Sequence, residues 1–414
     1  MCVACRRGLA TGSRIVVLRS MRAPLKEMQE RLWYLDSLRA CLMIAGVFLH
    51  AAAVYGANTQ WVVVDPAQGL RVFDTLVAAL HSFRMPAFFM LAGMFWTYVA
   101  QRNRLRHSLL QRAVLVGLPF LTLVLTLQPL QHLLLLTRDQ GWVWPSWGSF
   151  WASYWQPGVI SDNAFFGRSF IGHLWFLVTL LLYYPLAAVT VWLSFRTRRE
   201  VPERVWLLLL REKWLWVLVA GGAMIVLRAA LRHGLDWPMD VANIVRYLPY
   251  FAFGALGFAS EARLQALQHL GPRDWLALAL SAVVLYVPGV NEHLHGALRL
   301  LCELMFAFGV SVLLLVLFRR FLDRPWPWLR PLVDASFSVY LFHYFVVVVL
   351  ALLLIPAEGL PIPLKYLLVT AGGVLLPFLL HQRLIARYRL MRLLLNGRWP
   401  KERATAPTPH LKPA

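Results

Sequence analysis

The stretch "YLDSLRACLMIAGVFLHAA", Tyr34 to Ala52, decides what kind of protein this is. After its third residue nearly every side chain suits lipid, yet it carries Asp36, Arg39 and His50. A charged group at mid-bilayer costs about 2.5–3.5 kcal/mol on insertion scales, so such a residue must be paired, reach a headgroup or do work. With about 100° per residue, Arg39 and His50 stand about 20° apart around a helix, and Asp36 about 40° from His50. One inward-facing polar seam therefore accounts for all three. A rise of about 1.5 Å per residue puts about 16 Å between Arg39 and His50, so they cannot touch.

The rest of the chain is of the same kind. Of 414 residues, 59% are hydrophobic and 15% charged, whereas soluble domains hold about 45–50% apolar and about 25% charged residues. The pattern predicts an all-α, polytopic integral membrane protein. Ten spans are expected, near 34–55, 73–98, 112–136, 173–195, 214–231, 242–260, 274–290, 298–318, 333–355 and 363–385. Each is close to the roughly 20 apolar residues that cross a bilayer. Of 37 Lys and Arg residues outside or at the edges of these spans, 31 fall on alternate segments that include both termini. The positive-inside rule then places both termini in the cytoplasm. The net charge of +21 is accordingly read as topology, and no nucleic-acid partner is expected. Residues 1–30 read as a basic, disordered tail, 31–396 as the membrane bundle and 397–414 as a polar, Pro-rich tail. Cys2 and Cys5 form a CxxC with no second pair to complete a zinc site, and no metal is expected.

Other spans also carry polar residues. "HSFRMPAFFMLAGMF" holds His81 and Arg84 at i and i+3, neighbours on one helical surface. On a span running inward, both reach a depth close to that of His50, and Pro86 is expected to kink the helix. "HLWFL" places His173 and Trp175 at the outer interface. "DASFSVYLFHYF" sets Ser336, Tyr340 and His343 within about 60° of one face. Arg246 and Glu303 fall in the outer half, where they can neutralise each other. Each residue has a bland reading: snorkelling for Arg39, an ion pair for Arg84, inter-helix hydrogen bonds for the histidines. The sharper reading is a lined cavity. The loop 137–172, with "GWVWPSWGSFWASYWQPG", reads as an interfacial anchor or as a platform for sugar rings. "QRNRLRHSLLQR" presents Arg102, Arg104, Arg106 and Arg112, which serve topology or would hold the phosphates of a nucleotide-like donor. Neither a Walker loop nor an HExxH or GxSxG motif is present.

Together these segments resemble the acyltransferase-3 family of integral-membrane acyltransferases. The resemblance rests on an arginine, ten residues, then a histidine (Arg39 and His50), with "YLDSLRA", "HSFRMPAFF", "HLWFL" and "SFSVYLFH" in order. Arg112 ahead of "AVLVGLP" matches a basic position before the third span. The likeness runs from about Tyr34 to Gly397 and is nearest to the branch that acts on glucans. Two departures are Ala92-Gly93, where many relatives have Ser-Gly, and His343-Tyr344, where that branch has paired histidines.

The resemblance implies transfer of an acyl group, succinyl in that branch, from acyl-CoA (succinyl-CoA) to hydroxyls of a periplasmic glucan. It also implies the bacterial inner membrane and no bound cofactor. His50 and Arg39 would be catalytic; Arg84, His81, His173, His343 and Tyr340 would bind substrate; Arg104, Arg106 and Arg112 would hold donor phosphates. The chemistry agrees, because a sugar hydroxyl needs a general base and imidazole titrates near neutrality. An arginine fork matches the free carboxylate of a succinyl group. Two alternatives stay open: an O-acetyltransferase for another envelope glycan, and a glycan transporter or flippase, since histidine-bearing seams also suit transport.

Overall fold

A computed structural model describes residues 32–66, 69–155, 171–197, 201–232, 239–287, 289–290 and 295–398. Among them there is no strand. The helices in chain order are α1 (Trp33–Val54), α2 (Arg71–Arg102), α3 (Leu105–Leu125), α4 (Leu127–Asp139) and α5 (Trp147–Trp155). After a 3-10 turn (Gly172–Leu174) come α6 (Trp175–Thr197), α7 (Glu203–Arg211), α8 (Lys213–Arg232), α9 (Met239–Gly257) and α10 (Glu261–Gln268). Then follow α11 (Pro272–Tyr286), α12 (Gly296–Leu322), α13 (Arg330–Leu354), α14 (Ile362–Leu380), a π-turn (His381–Ile385) and α15 (Arg389–Asn396).

Among the described residues, seven stretches are long and apolar enough to cross a membrane: Trp33–Val54, Arg71–Arg102, Leu105–Asp139, Gly172–Leu193, Gly296–Leu322, Arg330–Leu354 and Ile362–Ile385. The other three expected spans are also helical, as α8, α9 and α11. The 15 residues of α11 reach about 22 Å, against a hydrocarbon core about 30 Å thick. Pro86 does not interrupt α2, which continues through it for 32 residues. The tail 1–30, Cys2 and Cys5 within it, residues 156–170 of the aromatic loop and residues 399–414 lie outside the described residues.

Helix α1 is the axis of the bundle, packed against α2, α12, α13 and α14. Of these partners, α2 in turn lies backbone to backbone on α9. A Cβ at Gly93 would collide with the Phe251 carbonyl, and one at Gly254 with the Met90 carbonyl. Small residues that let helices meet so closely are how membrane bundles gain packing without a hydrophobic drive between helices. One apolar core, around Leu38, Phe89, Phe253 and Phe308, joins α1, α2, α9 and α12. A second, around Val47, Ala51, Val347 and Val369, joins α1, α13 and α14 to the α1–α2 loop. The seam of α1 runs between these two cores.

Candidate active site

With one face, α1 reaches two polar regions. In its C-terminal half, His50 meets His343 of α13 (ring centroids 5.4 Å apart), Tyr344 edge-on (5.0 Å) and Trp61 of the α1–α2 loop in a stack (5.5 Å). His173, in the 3-10 turn ahead of α6, lies flat on Tyr344 at 4.8 Å and stands 5.6 Å from His343. Three imidazoles from three elements are thus gathered round one tyrosine.

Backbone carbonyls fix two of the rings. His343 Nδ1 is 2.7 Å from the Tyr340 carbonyl and 3.1 Å from that of Val339. Only an N–H can face a carbonyl, so the lone pair is left on Nε2. His173 Nε2 faces the Leu341 carbonyl at 3.2 Å, which leaves its lone pair on Nδ1. The Tyr340 hydroxyl donates to the His173 carbonyl at 3.0 Å. His343 Nε2, His173 Nδ1 and His50 Nδ1 are buried and have no hydrogen-bond partner in the protein. Buried polar atoms are normally satisfied, so such a group of exceptions points to a bound ligand. Among the described residues, no group of three His, Cys, Asp or Glu is placed to hold a metal ion.

Arg84 adds charge to this cluster. It is 8% exposed, with its guanidinium lodged where α1 has Gly46. A Cβ at Gly46 would collide with Arg84 Nη1 and stand 3.6 Å from His343 Nε2. Nε of Arg84 has no partner, and no described carboxylate forms an ion pair with this side chain. An uncompensated buried charge is strongly unfavourable.

Toward the N-terminal end of α1 the same face opens into a cavity of about 390 Å³, lined by Arg39, Arg112, Arg398, Asp36 and Asp334. Arg39 lies 3.5 Å from Asp36 and over the Phe95 ring at 5.6 Å. Arg112 donates to the Phe95 carbonyl at 2.7 Å, while its Nε has no partner. Arg398 arrives on a hook made of the π-turn, α15 and Gly397, which packs against the backbone of Leu115. Ser338 of α13 holds that hook, bonded to His381 Nδ1 at 2.8 Å and donating to Asn396 Oδ1 at 3.2 Å. Phe88 and Phe176, with ring centroids 4.6 Å apart, form the wall between the cavity and the imidazoles. Phe176 also meets Tyr340 at 6.1 Å.

The sequence profile of the acyltransferase domain family matches residues 32–382, which take in α1, the imidazole cluster and, apart from Asn396 and Arg398, the arginine cavity. The chain belongs to this acyltransferase domain family. "Glucans biosynthesis protein C" of Salmonella typhi is 28% identical over 239 residues, or 55% of this chain and 58% of that protein. The protein of the same name from Escherichia coli O6:K15:H31 (strain 536 / UPEC) is 27% identical over 272 residues, covering 62% of this chain and 66% of the relative. The chain thus aligns with less than two thirds of the length of these relatives. No solved structure gives a significant match.

In this acyltransferase-domain chain, the bundle brings together five of the expected residues: His50, Arg84, His173, Tyr340 and His343. His81 is exposed on α2, within electrostatic reach of His50 but outside the ring contacts. Arg39 and Arg112 meet at the cavity. Arg104 and Arg106 do not join them: both are exposed and neither lines the cavity. Arg104 caps the start of α3 and Arg106 sits in its first turn, so the loop carries them away from Arg112. Ser336 turns back to the Val333 carbonyl at 2.8 Å and takes no part. Trp175 packs against Phe89 and Tyr247. Arg246 and Glu303 pair at 3.8 Å, as their shared depth suggests.

Four participants escaped sequence reasoning. Trp61 sits in "GANTQWVVVD", between spans, where no periodicity marks it. Gly46 offers no polar atom to notice. Tyr344 reads as one more aromatic in an apolar helix, and Arg398 reads as part of a polar tail.

Proposed function

We propose that the protein transfers an acyl group, succinyl first of all, from acyl-CoA to hydroxyls of a periplasmic glucan, with His50 as general base. The observation that carries this reading is Arg84, a buried guanidinium with no carboxylate partner, set beside three imidazoles with free ring nitrogens. A succinyl thioester brings the missing carboxylate with it, and the arginine fork suits it. An acetyl donor would leave Arg84 unpaired. The names of the relatives favour a glucan acceptor.

At the other end, Arg39 and Arg112, joined by Arg398, would hold the phosphates of the donor. The roughly 16 Å from Arg39 to His50 suits an extended pantetheine arm passing the Phe88–Phe176 wall. With both termini cytoplasmic, as the charge distribution predicts, the arginine cavity faces the cytoplasm and Trp61 the periplasm, in the bacterial inner membrane. The glucan hydroxyl oxygen attacks the thioester carbonyl and its proton passes to His50. The C–S bond then breaks, and the departing thiolate takes that proton to leave as the thiol. His343, whose Nδ1 is committed to the Tyr340 carbonyl, presents Nε2 toward the same space and orients the acyl group with Arg84. His173 and Tyr340 hold that face of the pocket in place.

The test compares periplasmic glucans from cells carrying wild type, His50→Ala or Arg84→Gln at matched membrane levels, by anion-exchange separation and mass spectrometry. Wild type is expected to add succinyl mass and negative charge, His50→Ala to add neither, and Arg84→Gln to lose preference for succinyl over acetyl donors. Identical anionic glucans from wild type and His50→Ala would remove His50 from the chemistry. Neutral glucans from wild type would remove the succinyl-glucan assignment.

A further inference from the structure

The α1–α2 loop is tied down from four helices. It closes on the end of α1 through Asp65 N–H to the Val54 carbonyl (2.9 Å) and Leu70 N–H to the Tyr55 carbonyl (3.0 Å). The buried carboxylate of Asp65 pairs with Lys365 of α14 at 3.1 Å. Arg138 of α4 donates to the Val62 carbonyl at 2.7 Å. Asp74 of α2 accepts from the Asn58 N–H at 3.1 Å and the Thr59 hydroxyl at 2.7 Å. Loops that carry function are those a rigid scaffold positions, and this one has bonds on both sides of residue 61.

The side chain so positioned is an indole. Trp61 lies nearly parallel to the His50 ring (5.5 Å, 23°) and edge-on to Tyr344 (5.1 Å), yet it is only half buried. It covers His50 from the side opposite the arginine cavity. Of the charged groups that touch the loop, Lys365 pairs with Asp65, Arg138 pairs with Asp139, and the Asp74 carboxylate is taken up by Asn58 and Thr59. The surface around the indole is therefore suited to an uncharged partner with a flat apolar face and polar edges, which describes a pyranose.

We propose that Trp61 is an acceptor subsite, the platform on which one neutral sugar ring stacks so that its hydroxyl meets His50. The proposal rests on the acyl-transfer reading above and specifies how the acceptor is held. Stacking energy of this kind acts on acceptor binding, whereas a lid that only keeps water off His50 acts on turnover and on wasteful donor hydrolysis.

The test uses the full-length protein in membranes, succinyl-CoA at saturation, and neutral glucan purified from cells lacking the protein as acceptor. Trp61→Leu is expected to raise the glucan KM about tenfold, with kcat within about twofold and the donor KM unchanged, while Trp61→Phe recovers most of the acceptor affinity. An unchanged glucan KM in Trp61→Leu overturns the subsite. So does a lower kcat at constant KM, or a rise in free succinate released without glucan, either of which makes Trp61 a lid. Retained activity in Trp61→Phe excludes misfolding as the cause. A wild type that forms no glucan ester overturns the glucan reading itself, and the subsite with it. An active wild type matched by Trp61→Leu overturns the subsite alone.

Discussion

The two polar regions on α1 are built in opposite ways. The arginine region is a cavity of about 390 Å³ in which two of the three arginines are engaged, Arg39 with Asp36 and Arg112 with the Phe95 carbonyl. The imidazole region is packed ring against ring, with its hydrogen bonds drawn from backbone and its free nitrogens pointing inward. Both lie on one face of one helix, eleven residues apart in the sequence. The difference teaches what each can do. An open basin lined by partly engaged arginines can admit and release a large anion, whose binding is then tunable by salt. A tight nest with an uncompensated guanidinium is a preorganised site, where small displacements matter greatly.

The largest expected effect comes from Gly46→Ala. In a helix, alanine is favoured over glycine by about 1 kcal/mol, so membrane levels should hold or rise. The added methyl nonetheless occupies the place of Arg84 Nη1, and the guanidinium must move. A displacement of about 1 Å at a reacting centre can cost about a hundredfold. The expected result is a normally inserted protein with kcat down by about two orders of magnitude and donor KM little changed. Full activity in Gly46→Ala would mean the nest tolerates movement, and the contrast between the regions would weaken.

A smaller effect is expected at the cavity. Arg112→Ala or Arg398→Ala should raise the donor KM about tenfold, the scale of one charged hydrogen bond, with kcat preserved. Because the basin is open, the wild-type donor KM should also rise with added salt, whereas kcat should not, since screening reaches exposed charges far more than buried ones. Titrating salt in a steady-state assay separates the two. Equal salt sensitivity of kcat and KM would show that the nest is as wet as the basin.

Much of this was legible beforehand because membrane helices leave few places for polar atoms. Arg39, His50, Arg84, His173 and His343 stand out against apolar neighbours, and helical phase alone put Arg39 and His50 on one seam. The helices of the expected spans were equally plain, down to α8, α9 and α11, whereas the short α5, α7, α10 and α15 were not foreseen. Span number was less so, because apolar composition marks a helix but not whether its length covers the bilayer. What periodicity cannot reveal is contact between segments distant in sequence. Trp61 meets His50 from a loop held by residues as distant as Arg138 and Lys365. Gly46 matters through what it lacks. Arg398 becomes part of the cavity only through the hook bonded to Ser338.

Arg104 and Arg106 bring the smallest expected effect and the sharpest test of the geometry. By sequence they belong with Arg112, eight and six residues away on one basic loop. By structure they are exposed and absent from the cavity lining, whereas Arg112 is half-buried within it. At physiological ionic strength charges are screened within about 8 Å, and an exposed arginine that touches nothing in the site contributes little. Replacing both with alanine should therefore leave the donor KM within about twofold, against about tenfold for Arg112→Ala alone. The comparison needs equal membrane insertion, because both residues also serve the positive-inside signal; protease accessibility of a C-terminal tag in inverted vesicles checks that. A double variant whose donor KM rises as far as that of Arg112→Ala would mean that the donor headgroup extends out over the loop. The phosphates would then be bound by the basic stretch as a whole, and the cavity would hold only the pantetheine arm.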